Sequence, residues 1–270
     1  MSFHTTAGGM RLRLSDRGEG PDAVVLVHGW KGSHRLWDHV VTALEPRHRV
    51  VAFDLRGMGE SDKPRAAYDF DEHAGDLEAV ISELGLEDVT LVGWSMGCTV
   101  SLRHMERGGR GVDRLVLLNG PLRLTRAEDF PHSMTQEQLD GYLDELARAW
   151  PVGERAFLAE SLLPTTDPLI LDWIYAVALQ TPLDVAMRVV REQARLDMRG
   201  AVAGLAVPVL AAYSRHDPYY PVSLAEYIAE TAPDGQLAIL DGSAHCAPIE
   251  EPAAFVAALE AFIDSRPRPA

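Results

Sequence analysis

Apolar residues along the 270-residue chain follow two alternating patterns. In the first, short stretches are apolar almost without interruption: 23–27, 49–53, 89–92, 114–118, 207–213 and 236–240. A strand covered on both faces has no polar side to present, so such runs predict buried strands. In the second, apolar residues recur every three to four positions. Leu36, Val40, Val41 and Leu44 predict a helix over 33–44, and Leu77, Val80, Ile81 and Leu84 predict another, closed by Gly85. Further helices are predicted over 98–107, 222–231 and 252–263. Residues 10–14 alternate apolar and basic, as a half-exposed edge strand would, and the turn at 18–21 ends them.

Strands that alternate with helices form a mostly parallel sheet flanked by helices, connected by right-handed crossovers, which is an α/β fold. The alternation lapses between Pro121 and Gly204. There, Leu139, Tyr142, Leu143 and Leu146 form one helical stripe, Ile170, Trp173, Ile174 and Val177 a second, and Val185, Val189 and Val190 part of a third. The organisation expected is one core domain in two pieces, 1–120 and 205–270, with a helical cap insertion over 121–204. Most of the stripes are explained by helix packing alone.

Size and composition limit the alternatives. The chain is long enough to bury one large core, and 47% hydrophobic with 24% charged residues marks a folded globular protein. A net charge of −15 argues against nucleic acid or an anionic membrane as the main partner. The first sixteen residues lack a basic flank followed by an apolar core, and no apolar run is long enough to span a bilayer. Two cysteines, Cys98 and Cys246, suit a reducing cytoplasm and small space-filling roles. The Pro/Arg-rich tail, 265–270, is expected to fray.

Candidate chemistry centres on Gly93-Trp94-Ser95-Met96-Gly97, where a buried strand turns into a helix. A serine between two glycines at such a turn fits a nucleophile elbow. The strained backbone projects the hydroxyl, and the glycines keep bulk out of the strand–helix crossing. A serine needs a base, and the base needs an orienting partner. Asp217 and His245 each follow a predicted strand, at the carboxyl edge of the sheet where ligands bind. Their order, Ser95 then Asp217 then His245, is the one such hydrolases use. Asp241 also follows a strand but reads as a turn former before Gly242, and His216 reads as a loop residue. No metal-ligand spacing and no phosphate-binding glycine loop is present, so no metal and no cofactor is expected.

With His28-Gly29-Trp30, the loop Asp54-Leu55-Arg56-Gly57-Met58-Gly59-Glu60-Ser61-Asp62, His216-Asp217-Pro218 and Glu250-Glu251-Pro252, these pieces run in order along nearly the whole chain. The sequence thereby resembles the α/β-hydrolase superfamily, in its capped, carboxylesterase-like serine hydrolase branch. The resemblance implies Ser95 as nucleophile, His245 as base and Asp217 as its orienting acid. It also implies an oxyanion hole from the backbone N–H groups of Trp30 and Met96. It makes His28 and the 54–62 loop structural. Two departures stand out: Cys98 where a second glycine is common, and Ala244 where a glycine usually precedes the histidine. Both are small, so altered packing is expected, with the chemistry retained.

Trp30, Trp94, Met96, Trp150, Trp173 and Tyr175 suggest an apolar pocket suited to a small or medium hydrophobic ester, lactone or thioester. The partner expected is a small acyl substrate, with the protein a monomer or homodimer. Carbon–carbon bond hydrolysis and cofactor-free perhydrolase or haloperoxidase chemistry use the same triad and are alternatives. From another class come a non-hydrolytic biosynthetic enzyme and a ligand receptor on the same scaffold, because one fold hosts many functions.

Overall fold

A computed structural model describes residues 2–6 and 8–265. The expected fraying of the tail falls almost entirely on 266–270, outside the described residues.

Eight strands form one sheet: β1 (Ser2–Thr5), β2 (Arg11–Arg17), β3 (Ala23–Val27), β4 (Arg49–Phe53), β5 (Val89–Trp94), β6 (Val112–Leu118), β7 (Val209–Ser214) and β8 (Gly235–Leu240). Their order is β1-β2-β4-β3-β5-β6-β7-β8, parallel from β4 to β8 and antiparallel at β1 and β2. This is the mostly parallel sheet expected from the alternation, in the α/β-hydrolase arrangement that the resemblance implied.

The uninterrupted apolar runs have a direct cause. In β3, Val25 and Val27 enter one core while Val24 and Leu26 enter another on the opposite face. The same division splits Val51 and Phe53 from Val50 and Ala52 in β4. Helices α2 (Phe70–Glu83), α3 (Met96–Glu106) and α9 (Val222–Thr231) cover the first face. Helices α1 (Asp38–Leu44), the short α10 (Ala247–Glu250) and α11 (Pro252–Asp264) cover the second. Helix α1 is preceded by a 3₁₀ turn, His34–Trp37, whose cap Ser33 accepts a hydrogen bond from the Arg35 N–H. Ser33 thus starts the predicted segment, although its first turn is tighter than α.

One expectation needs correction. Residues 11–17 do not form the sheet edge, because β1 pairs outside them from Ser2↔Leu14 to Thr5↔Arg11. β1 has four residues, and only Phe3 is a large apolar side chain, so it carries no burial pattern to read.

Between β6 and β7 lie α4 (Gln136–Ala149), α5 (Val152–Glu160), α6 (Pro168–Ala178), α7 (Leu183–Gln193) and the short α8 (Arg199–Ala203). A capping box of Thr135 and Gln138 starts α4, and Asp167 followed by Pro168 starts α6. These helices have a core of their own: Leu124, Leu139, Leu143, Leu146, Met187 and Val190, with Trp30 and Trp150 packed against it. Since Trp30 follows β3, that small core rests on the carboxyl edge of the sheet. Among the described residues, no single helix is long and apolar enough to cross a membrane.

Candidate active site

Ser95 sits between β5 and α3 at φ 55° and ψ −121°, a conformation costly for any residue but glycine. The flanking glycines make the crossing possible. A Cβ on Gly93 would lie 2.5 Å from the Gly97 carbonyl oxygen, and one on Gly97 would lie 2.3 Å from the Val27 carbonyl oxygen. The loop after β3 comes as close from the other side, since a Cβ on Gly29 would stand 3.0 Å from Ser95 Cβ.

The three residues singled out by order converge. His245 Nε2 is 3.0 Å from Ser95 Oγ, and its Nδ1 is 2.8 Å from Asp217 Oδ2. The Asp217 carboxylate is fully buried, and its Oδ1 accepts the N–H groups of Tyr219 (2.8 Å) and Tyr220 (3.1 Å). Both carboxylate oxygens are therefore committed, which fixes the plane in which the imidazole sits. Asp241 instead pairs with Arg215 at the surface, and His216 is exposed.

The loop carrying His245 is held from several directions. Its carbonyl accepts from Trp94 Nε1 (2.9 Å) and Asn119 Nδ2 (3.1 Å), and its N–H donates to the Ser161 carbonyl (3.1 Å). Glu250 accepts the Ala244 N–H with one oxygen and, with the other, the Leu163 N–H and the Thr166 hydroxyl. Glu251 accepts the Gly242 N–H and the Ser243 hydroxyl. The Glu-Glu-Pro signature thus ties the histidine loop to the 121–204 helices. Ala244 keeps its N–H bond to Glu250 without a glycine. Cys98 is accommodated because residue 120 is glycine, where a Cβ would meet Cys98 Sγ at 2.2 Å. Burial raises the Cys98 thiol pKa, so it stays protonated against the Gly93 carbonyl.

Trp30 and Met96 flank the serine. Met96 opens α3, so its N–H has no acceptor within the helix. His28 is wholly buried. Its Nδ1 bonds to the Gly29 carbonyl (2.7 Å), and its Nε2 accepts the Leu55 N–H (3.0 Å). Burial, partly opposed by Asp54, lowers its pKa and keeps it neutral, as this pair of bonds requires. The 54–62 loop is closed in the same way: Asp54 accepts the N–H groups of His34 and Glu60.

Above Ser95 lies a cavity of about 620 Å³, lined by Trp30, Trp94 and Met96 as expected, and by Tyr142, Phe157, Tyr219 and Tyr220. The rings of Tyr219 and Tyr220 stand 5.1 and 5.8 Å from the His245 imidazole. Trp150, Trp173 and Tyr175 are not among the lining residues. Trp150 packs on the small helical core, Trp173 packs on the second sheet core, and the Tyr175 hydroxyl donates to the Pro151 carbonyl. A helical stripe marks which residues face inward; α6 turns Ile174 and Ala178 toward the cavity instead. Tyr142 stood in a predicted stripe, while Tyr219 and Tyr220 could have been suspected from their place directly after Asp217-Pro218. Phe157 and Asn119 carried no local signal. Among the described residues, no three His, Cys, Asp or Glu side chains gather as a metal site.

A strand-to-helix serine at the carboxyl edge of this sheet defines a hydrolase of the α/β type, and the comparisons agree. The chain matches the family model for the alpha/beta hydrolase fold over residues 22–252 and belongs to that family. It is 30% identical over 247 residues to the AB hydrolase superfamily protein YisY of Bacillus subtilis (strain 168), covering 89% of this chain and 90% of the relative. It is 28% identical over 254 residues to the non-heme chloroperoxidase CPO-A1 of Kitasatospora aureofaciens, covering 91% and 92%. An esterase structure from Exiguobacterium antarcticum shares the fold at a TM-score of 0.92 and 23% identity, over 97% of this chain and 99% of that one.

Proposed function

We propose that the protein hydrolyses a small to medium hydrophobic carboxylic ester, or a related lactone or thioester, through an acyl-enzyme on Ser95. The observation that carries this reading is the continuous chain from Ser95 Oγ through the His245 imidazole to the buried Asp217 carboxylate, at the floor of an aromatic cavity. Ser95 Oγ attacks the acyl carbon and passes its proton to His245 Nε2, while Asp217 holds the tautomer with Nδ1–H and steadies the imidazolium. The carbonyl oxygen takes up the negative charge facing the N–H groups of Trp30 and Met96. Collapse breaks the bond to the leaving group, which departs with the proton from Nε2. Water then repeats the sequence and releases the acid.

The cavity volume falls in the range that buries most of a small organic ligand, and the rings around it favour an apolar acyl or alkoxy group. The helices of 121–204 act as a cap over it. Intact-protein mass after fluorophosphonate treatment tests the reading. A single adduct on the wild type, absent from Ser95→Ala, is expected; an unlabelled, folded wild type would refute it. An ester series of graded acyl length then ranks substrates.

The similarity to a chloroperoxidase supports a second reading, in which peroxide in place of water intercepts the acyl-enzyme and yields a peracid. It predicts halide oxidation that requires both peroxide and a carboxylate buffer such as acetate, and that is lost in Ser95→Ala.

A further inference from the structure

Next to Trp30 stands a residue that acyl transfer does not itself use. Lys31 Nζ is 2.6 Å from Glu154 Oε2 on α5, with the two side chains 1% and 0% exposed. The same ammonium is 3.3 Å from the Tyr142 hydroxyl on α4, 3.6 Å from the centre of the Trp30 ring and 4.8 Å from that of Phe157. Lys31 also has φ 57°, in the left-handed region where glycine would be at ease. The loop therefore accepts backbone strain at this position while presenting a lysine side chain.

We propose that Lys31 and Glu154 are a positioning pair, which fastens the loop after β3 to the cap and so holds the Trp30 N–H in place for the oxyanion. The proposal rests on the acyl-transfer reading. Stability alone does not explain the pair, because well-packed apolar residues commonly serve as well as a buried ion pair. An ion pair adds direction. Here the direction runs from the residue after Trp30 to a helix beyond the cavity, and the ammonium lies against the face of Trp30. The indole is tied a second time, through Nε1 to the Ala186 carbonyl on α7 (3.1 Å). The loop is thus gripped by three cap helices, and seating the cap and forming the oxyanion hole become one event.

The pair is also poised to fail at alkaline pH. Burial, opposed by Glu154, lowers the Lys31 pKa to about 8, while burial raises that of Glu154. Lys31 is therefore cationic below pH 8 and loses the pairing charge above it. The other titratable group facing it is Tyr142, which burial moves up and out of this range. Glu154 Oε1 is buried without a partner, so the Lys31 charge is what compensates the burial of this carboxylate.

The test compares wild type, Lys31→Met and Lys31→Met/Glu154→Leu. It measures kcat and KM on p-nitrophenyl butyrate from pH 6 to 9.5, inhibition by an alkyl trifluoromethyl ketone, and Tm. Loss of one oxyanion donor costs about 10²–10³ in turnover, so a displaced donor should cost about 10- to 100-fold in kcat, with KM within threefold. Affinity for the ketone, whose adduct places an oxyanion in the same hole, should fall by the same factor. The double variant should recover Tm but not kcat, and it should lack the wild-type decline in kcat above pH 8. Should Lys31→Met not fold, the double variant decides alone. Recovery of kcat to within twofold in the double variant would overturn the proposal, as would an alkaline decline that persists in it. A wild type with neither turnover nor a fluorophosphonate adduct would instead remove the acyl-transfer reading, and this inference with it.

Discussion

Gly97→Ala isolates what the elbow geometry contributes to catalysis. The new Cβ would lie 2.3 Å from the Val27 carbonyl oxygen and 2.9 Å from that of His28, where ordinary contact begins at 3.4 Å. Both neighbours are main-chain atoms of the central strand region, so no side chain can rotate away. Helix α3 must therefore retreat from β3 by about 1 Å, the difference between 3.4 and 2.3 Å. Ser95 and the Met96 N–H travel with it, away from a His245 Nε2 now 3.0 Å from Ser95 Oγ. A misplacement of that size costs about 10²-fold in rate. Overpacking a tight site costs about 1–3 kcal/mol, and in a chain of this size each kcal/mol lowers Tm by roughly 2–4 °C. The assays are kcat on a p-nitrophenyl ester, the rate of fluorophosphonate labelling, and thermal unfolding. Gly141→Ala is the control: it lies exposed within α4 with no atom within 4 Å of its Cβ, so it should gain about 0.5–1 kcal/mol and leave kcat unchanged. A Gly97→Ala enzyme with kcat within threefold of wild type would refute the claim that this crossing positions the nucleophile.

Asp217→Asn keeps an oxygen for the Tyr219 and Tyr220 N–H groups but turns an amide toward His245 Nδ1. It should lower kcat by about 10³–10⁴ while circular dichroism and Tm stay near wild type, because the wrong tautomer is favoured; a loss under tenfold would exclude Asp217 as the orienting acid. His73 is fully buried with neither ring nitrogen bonded, and burial lowers its pKa to about 3. The unfolded chain binds a proton below about pH 6.5 and the native site does not, so stability is full above that value. It is lost as pH falls toward 3, at about 1.4 kcal/mol per pH unit. Urea unfolding of His73→Leu between pH 7.5 and 5 should show a slope shallower by about 0.8 kcal/mol per pH unit on average, rising to about 1.4 at the acid end, and an unchanged slope would contradict the neutral buried state.

The strand–helix alternation, and the three residues Ser95, Asp217 and His245 that the fold brings together, were legible in the sequence because each rests on local rules. β3 faces two cores at once and is apolar at every position, and β4 is apolar from Val50 to Phe53 for the same reason. The elbow requires small residues at 93 and 97, and the acid and histidine must follow strands that end at the same edge. Helix α5 was less visible, since its one fully buried side chain is the charged Glu154. Likewise β1 became a strand only because β2 offered an unpaired edge.

The cavity was decided by tertiary structure. Trp173 belongs to an inward-facing stripe and Trp150 ends α4 against the small helical core, yet a helix among several neighbours has more than one inward surface. Which surface borders the cavity depends on how α4, α5 and α6 sit over the sheet. Lys31 and Glu154 are 123 residues apart, and each alone reads as a solvated charge. Local sequence sets backbone conformation and burial through short-range sterics and the hydrophobic period. The pairing of two buried charges depends on long-range closure of the chain, which sets α4 and α5 against the loop after β3.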